Sequence, residues 1–201
     1  MMKRVFDIVA SFCGLVALCP VLLVIVALIK ISSSGSVFFC QTRVGRSGKL
    51  FQIYKFRTMI PQAEQHGEKI TVGNDKRITP IGGVLRKTKL DELPQLFNVL
   101  KGDMSVVGPR PEVPEFVVEH PEDVRKIILS VRPGITDTAS IEFSDEASLL
   151  GEKSDPRQAY IDEILPQKAE HYLRYAQNYS FCGDLRIIWA TLWKVFKQAA
   201  E

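Results

Sequence analysis

The chain opens with its most one-sided stretch. Between Asp7 and Lys30 there is no charged residue, and Ile8 to Ile29 is apolar or small apart from the hydroxyl of Ser11. Wound as one helix at 1.5 Å per residue, those 22 positions are long enough to cross a hydrocarbon core of about 30 Å. A signal peptide fits less well, because the run is long and no small-residue cleavage site follows it. After the turn-like Ser32-Ser33-Ser34-Gly35 the pattern shortens. Val37 to Gln41 and Leu50 to Arg57 read as strands and Gly45-Arg46-Ser47-Gly48 as the turn between them, so a β-hairpin is predicted. Pro61 to Lys76 is polar and reads as loop with a short helix. Helical periodicity follows at Gly82–Lys89, Glu92–Lys101, Val113–Leu129, Pro156–Asn178 and Leu185–Gln198. Pro109, Pro111, Pro114, Pro133 and Pro156 keep these helices short and join them by rigid turns. The expected fold is mostly α with a small β-hairpin, divided into a membrane element over residues 1–32 and a compact unit over residues 33–201.

Charge sharpens the picture of the first element. Residues 1–63 carry eight Lys or Arg against the single acid Asp7, a net +7 that leaves −4 for the rest of a chain of +3 overall. A basic third beside an apolar run points to anionic headgroups or phosphate ligands. Nucleic acid is not expected as a partner, since the basic residues form no dense helical stripe and no nucleic-acid motif is present. Lys3 and Arg4 precede the apolar run, and Lys30, Arg43 and Arg46 follow it, so the positive-inside rule is best satisfied with both ends cytoplasmic. Pro20, near the middle, lacks an amide donor and favours a bend. The residues alone fit either a straight span or a re-entrant helix that bends at Pro20. The last helix places Leu185, Ile188, Trp189, Leu192, Trp193 and Phe196 on one face, which suits either a helix lying in the headgroup region or one packed on a core. Cys13, Cys19, Cys40 and Cys182 have no metal-ligand spacing and read as small hydrophobes without a disulfide, which favours a reducing compartment.

The densest chemistry lies in Leu90-Asp91-Glu92-Leu93-Pro94-Gln95-Leu96-Phe97-Asn98, continued by Gly108-Pro109-Arg110-Pro111. Taken structurally, Asp91 caps a helix, Glu92 and Pro94 occupy its first turn and Gly102 stops it. Two adjacent carboxylates at a helix start can also hold a divalent cation and offer an oxygen as nucleophile. Arginine placement favours the second reading. Arg110 is framed by two prolines, Arg132 precedes Pro133-Gly134, Arg86 lies upstream of Asp91, and Arg57 ends the second strand. Each alone reads as a structural ion pair; together they read as an anion site of the kind that planar guanidinium groups make with phosphate.

These motifs resemble the bacterial sugar transferase family, the small monotopic phosphoglycosyl transferases. So do Lys3-Arg4-Val5-Phe6-Asp7, Tyr54-Lys55-Phe56-Arg57-Thr58-Met59 and Arg132-Pro133-Gly134-Ile135-Thr136, so that the resemblance covers almost the whole chain. It implies a phosphosugar transferase using a UDP-sugar donor and a polyprenyl (undecaprenyl) phosphate acceptor, with UMP released in a ping-pong reaction. It implies Asp91 as nucleophile, Glu92 as its dyad partner, Mg²⁺ positioned by both, and phosphate contacts from Arg110, Arg86 and Arg57, to which Arg132 is added as a candidate. It further implies a re-entrant membrane helix, contact with membrane lipids, and a catalytic domain on the cytoplasmic face of the bacterial inner membrane. The sugar, the pathway and the oligomeric state stay open. Two departures from the family pattern stand out: Cys19-Pro20 where Ser-Pro is common, and Asp137-Thr138-Ala139-Ser140 where Gly-Leu-Ala-Gln is common.

Two other readings compete: a membrane-anchored scaffold in which Asp91-Glu92 is only a cap, and an enzyme that transfers a whole glycosyl group and releases UDP. His66, His120 and His171 lack metal spacing and read as surface residues. Tyr172, Tyr175 and Tyr179 read as packing. No P-loop, dinucleotide or zinc-protease motif occurs.

Overall fold

The computed structural model describes residues 2–63, 72 and 75–200, without the side chains of 199 and 200. His66 and most of the polar segment 61–76 therefore lie outside the described residues. The chain is mostly helical, with a small antiparallel hairpin and one long apolar N-terminal helix.

That helix, α1 (Met2–Ser32), runs unbroken through Pro20. Of its residues only Asp7, Ser11, Ile25 and Ile29 are buried, while Val9, Phe12, Val16, Leu23 and Val24 are all more than half exposed. By length and composition it can cross a bilayer. The two buried pairs fasten it at both ends. Near the start, the Asp7 carboxylate accepts hydrogen bonds from Ser105 Oγ at 2.9 Å and Val106 N at 3.1 Å. Near the end, Ile25 and Ile29 pack with Phe56 and Leu85.

The hairpin pairs β1 (Phe38–Val44) with β2 (Leu50–Phe56), from Phe38 opposite Phe56 to Val44 opposite Leu50. β1 is longer than its sequence reading. Thr42 and Arg43 alternate poorly in hydrophobicity, yet both find backbone partners on β2. Phe51 and Ile53 on the inner row of β2 join Val99 and Met104 in a core.

α2 (Pro80–Lys87) starts at Thr79, whose hydroxyl accepts from Gly82 N at 3.0 Å, with Pro80 in the first turn. It packs hard onto the chain after β2: a Cβ on Gly82 would lie 1.9 Å from the Thr58 carbonyl oxygen. A 3-10 turn (Leu90–Glu92) and α3 (Gln95–Lys101) follow, and α3 stops at Gly102, whose φ of +95° suits a residue without a side chain. Asn98, on α3 and fully buried, donates to Gln52 O at 2.7 Å and accepts from Tyr54 N at 3.0 Å. One amide thus satisfies the open edge of β2 and fixes α3 against the hairpin.

β3 (Ser105–Val107) and β4 (Gly134–Thr136) form a short parallel pair. Between them lie α4 (Pro114–Val117) and α5 (Glu122–Ile128). The periodicity had joined these two into one helix from Val113 to Leu129, but Pro121 cannot continue a helix and sets a new N-terminus instead. α6 (Thr138–Glu142) is capped by Asp137, and α7 (Glu146–Gly151) follows. α8 (Pro156–Ala159), a π turn (Tyr160–Ile164) and α9 (Leu165–Asn178) make one continuous helical run. The wider turn just precedes Pro166, which cannot donate to a carbonyl one turn back. α10 (Phe181–Ala200) ends the described chain.

Candidate active site

Asp91 and Glu92 sit in the 3-10 turn before α3, not in the first turn of α3 itself, because Pro94 begins the α-helix. The residue ahead of them, Lys89, takes the left-handed conformation at φ +56°, which costs roughly 1–2 kcal/mol for a residue with a side chain. That strain reverses the chain between α2 and α3 and presents the two carboxylates side by side.

The capping role expected for Asp91 is absent. Asp91 makes no cap hydrogen bond in the 3-10 turn or in α3. It is 7% exposed, and its Oδ1 is buried without a hydrogen-bond partner. Gln95, one turn on and 1% exposed, likewise has both amide atoms unpartnered. Buried polar groups without partners are uncommon and mark places where a ligand, ion or water completes the bonding. Burial raises the Asp91 pKa and the neighbouring Glu92 charge adds to it, while the Lys55, Lys89 and Arg86 charges act the other way.

Glu92 is the opposite case. Its Oε1 accepts from Lys55 Nζ at 2.8 Å and from Arg110 Nη2 at 2.5 Å, and its Oε2 from Arg110 Nη1 at 3.3 Å. Burial works against its charge, but Arg110 and Lys55 outweigh it and hold the carboxyl well below the ordinary glutamate range. Two adjacent carboxyls thus diverge: one is charge-compensated and anionic, the other is buried with a free oxygen. Such divergence between adjacent carboxyls is the pattern of an acid-base or nucleophilic site.

Of the four predicted arginines, the structure brings two to the carboxylates. Arg110 grips Glu92, and the prolines on either side hold its backbone. Arg86 lies close enough to Asp91 to oppose its protonation, and its Nε donates to Thr58 Oγ1 at 2.9 Å. Arg57 is turned the other way: buried, it clamps the end of α1 through Ser34 O at 2.7 Å, Ser33 O at 3.0 Å and Ser33 Oγ at 2.9 Å. Arg132 lies at the far end of α3, donating to Gly102 O at 3.0 Å.

Lys55 is the site residue that sequence reasoning passed over. It continues the inward row Phe51, Ile53 on β2, so a charge there faces the core, and burial lowers its pKa to about 8. That inward charge in an otherwise apolar alternation is the signal that could have found it. The histidine reading also needs correcting. His120 is buried and pairs with Glu112 at 3.0 Å, because the break between α4 and α5 turns it inward. His171 is half-buried between Thr138 and Glu142. Tyr172 is fully buried packing, whereas Tyr179 is 54% exposed.

A divalent cation that prefers oxygen ligands would find Asp91 Oδ1 available. The described residues include no cluster of three or more His, Cys, Asp or Glu suited to a metal. The fit is therefore to an ion held by one carboxylate together with ligands from elsewhere, as is common for Mg²⁺ beside phosphates. Glu92 also lines a solvent-open cleft of about 680 Å³ between α3, β4, α6 and α10.

Comparison with known proteins places these features in context. The bacterial sugar transferase family profile matches residues 1–198. The chain is 39% identical over 192 residues to the UDP-N-acetylgalactosamine-undecaprenyl-phosphate N-acetylgalactosaminephosphotransferase of Aeromonas hydrophila, covering 94% of this chain and 42% of that protein. It is 39% identical over 201 residues to the UDP-glucose:undecaprenyl-phosphate glucose-1-phosphate transferase of Klebsiella pneumoniae, covering 96% of this chain and 40% of the relative. The chain thus spans about two fifths of the length of these two. It is also 39% identical over 206 residues to the exopolysaccharide production protein PSS of Rhizobium leguminosarum bv. phaseoli, covering 95% of this chain and 93% of that protein.

Proposed function

The chain belongs to the bacterial sugar transferase family, and from that premise we propose that it moves a sugar 1-phosphate from a UDP-sugar to undecaprenyl phosphate, releasing UMP and leaving undecaprenyl-diphosphate-sugar. The relatives named for this reaction in Aeromonas and Klebsiella align with nearly the entire chain, which supports the reading. The observation that carries it is the pairing of a buried Asp91 bearing a partnerless Oδ1 with a Glu92 locked between Lys55 and Arg110.

The chemistry follows from that pairing. The Asp91 carboxylate attacks the β-phosphorus of the donor. An Asp91 oxygen–phosphorus bond forms, the bond from the β-phosphorus to the oxygen bridging the two phosphates breaks, and UMP leaves with that electron pair. An oxygen of the lipid phosphate then attacks the same phosphorus, and Asp91 leaves as carboxylate. No net proton moves. A carboxylate is a weak nucleophile, so the barrier is set by the negative charge on the phosphates. Arg110, held on Glu92, and Arg86, whose charge is felt at Asp91, are the guanidinium groups that meet that charge, and Glu92 orients Arg110 and Lys55. A Mg²⁺ ion held through Asp91, with Glu92 beside it, would neutralise phosphate charge when bound.

The membrane reading belongs to the same proposal: residues 1–32 form a re-entrant element and residues 33–201 a catalytic domain on the cytoplasmic face of the inner membrane. Both ends of α1 are tied to the same body. Lys3 pairs with Asp184 at 2.6 Å, Phe6 meets Phe181 edge-on, and Ile25 and Ile29 pack on β2 and α2. A straight crossing would separate those ends by about 30 Å of hydrocarbon. α10 supports the interfacial reading of the last helix. Trp189, Trp193 and Phe196 are 71%, 67% and 72% exposed, a stripe that suits the headgroup boundary. Incubating the purified chain with a panel of UDP-sugars and undecaprenyl phosphate tests the reading: UMP is the expected nucleotide product. UDP would select the glycosyl-transferring alternative, and no nucleotide release from any donor would favour a scaffold.

A further inference from the structure

The cleft beside Glu92 is lined by two unlike sets of residues. The charged ones are Lys89, Glu92, Arg110 and, from α10, Lys194. Glu92 is already compensated by Lys55 and Arg110, so the charged lining keeps a net positive charge. The remaining lining is mixed: Leu93 just ahead of α3, Leu96 on α3, Ile135 on β4, Ile141 on α6 and Val195 on α10 are aliphatic, and as many residues are uncharged and polar. Among the described lining residues none is aromatic, so the cleft offers no platform on which a uracil ring could stack.

α10 serves two environments at once. Thr191, Lys194, Val195 and Gln198 face the cleft and recur at the spacing of one helical face. Leu185, Trp189, Leu192, Trp193 and Phe196 occupy the opposite face and are exposed. α10 is docked by its inner face, through the Thr136–Thr191 hydroxyl pair at 2.6 Å and a hydrogen bond from Lys194 to the Ile141 carbonyl. The helix that carries the membrane-facing stripe is therefore also a wall of a cationic, partly aliphatic slot that Glu92, the nucleophile's neighbour, also lines.

We propose that this cleft is the acceptor subsite: an isoprenoid monophosphate lies in it with its phosphate on Lys194, Lys89 and Arg110 and its first isoprene units along Leu96, Ile141 and Val195. The charge complements a phosphate monoester, which carries about −1.5 to −2 at neutral pH, and the aliphatic walls complement the chain attached to it. The assignment rests on the transfer reaction proposed above and adds to it the residues that select a lipid phosphate. Asp137 caps α6, and Ser140 and Ile141 in that helix line one wall. That makes this segment part of the acceptor side.

The test compares wild type with Lys194→Met, Lys194→Arg and Val195→Phe, using undecaprenyl phosphate and a UDP-sugar that the wild type turns over. Removing the cation and filling the slot should each raise the KM for the lipid at least tenfold, with the KM for the UDP-sugar held within twofold. Lys194→Arg should recover most of the loss. A farnesyl phosphate carrying a diazirine should, without any donor, crosslink to peptides containing Ile141 or Val195. Active variants with unchanged lipid KM, or crosslinks mapping elsewhere, would overturn the assignment. So would a rise confined to the donor KM, which would give the cleft to the sugar nucleotide. Crosslinking in the cleft of a wild type that releases no UMP from any donor would uphold the lipid site and refute the transfer reaction.

Discussion

Arg110→Lys isolates what the guanidinium fork contributes beyond its charge. Arg110 reaches Glu92 with two nitrogens, Nη2 at 2.5 Å from Oε1 and Nη1 at 3.3 Å from Oε2. A lysine ammonium in its place keeps the charge but cannot span both oxygens while also facing a phosphate. At least one charge-assisted hydrogen bond is lost, worth about 1.5–3 kcal/mol. If that energy is felt in the transition state, turnover falls by about 10- to 150-fold, at 1.36 kcal/mol per decade. Folding should suffer far less. Glu92 keeps Lys55 at 2.8 Å, so no buried charge is orphaned, and the melting temperature should drop by only about 2–4 °C for a loss near 1 kcal/mol. UMP release and thermal unfolding measured on the same preparation separate the two effects. A variant with full activity, or one whose loss of rate merely tracks unfolding, would refute the reasoning.

Four further outcomes follow from the structure. Lys55, lowered by burial to about 8, should give activity a basic limb near that pH, since deprotonation leaves Glu92 with Arg110 alone; Lys55→Arg should move the limb upward in a pH profile, and an unmoved limb would clear Lys55 of the role. Stability should run the other way: between about 8 and the ordinary 10.5 the unfolded chain binds this proton more tightly, so the Lys55 contribution makes the fold more stable as pH rises, as read from melting temperature. Both tryptophans of the chain lie on α10, so its intrinsic fluorescence should be quenched by lipids brominated near the headgroup and shielded from aqueous iodide; the reverse pattern would take α10 off the membrane. Asp7→Ala should cost about 3–6 kcal/mol, because it strips two charge-assisted hydrogen bonds from the buried joint between α1 and β3; a melting temperature within a degree of wild type would show that the joint carries no such weight.

Much of this arrangement was legible in the residues. The apolar run, the hairpin, the mostly helical remainder and the carboxylate pair with its proline-framed arginine all follow from local pattern, and local pattern is what periodicity and turn chemistry report. What was misread depended on distant partners. Asp91 looks like a cap because of its neighbours, but Lys89 turns left-handed and Pro94 delays α3, which leaves the carboxylate without amides to accept from. Arg57 and Arg132 have the rigid settings of anion ligands, yet carbonyl groups of the Ser33-Ser34 turn and Gly102 engage them. Lys55 meets Glu92 because Asn98 bonds Gln52 O and Tyr54 N on the open edge of β2 and brings α3 alongside. His120 and Pro121 interrupt a helix whose apolar spacing continues through the break, so its periodicity could not reveal that the histidine is buried.

If an Asp91 oxygen forms the covalent bond to phosphorus, intact-protein mass spectrometry after incubation with a UDP-sugar and Mg²⁺, without any polyprenyl phosphate, reads it directly. The wild type should gain the mass of one sugar phosphate, mapped by peptide analysis to Asp91, with UMP released in step, and added undecaprenyl phosphate should discharge it. Asp91→Asn should take up no label and turn over no donor. It should fold at least as well as wild type, since Asp91 makes no cap hydrogen bond and the substitution removes a buried carboxylate whose protonation burial favours. An adduct mapped to another residue, or an Asp91→Asn enzyme that turns over at the wild-type rate, would contradict the mechanism.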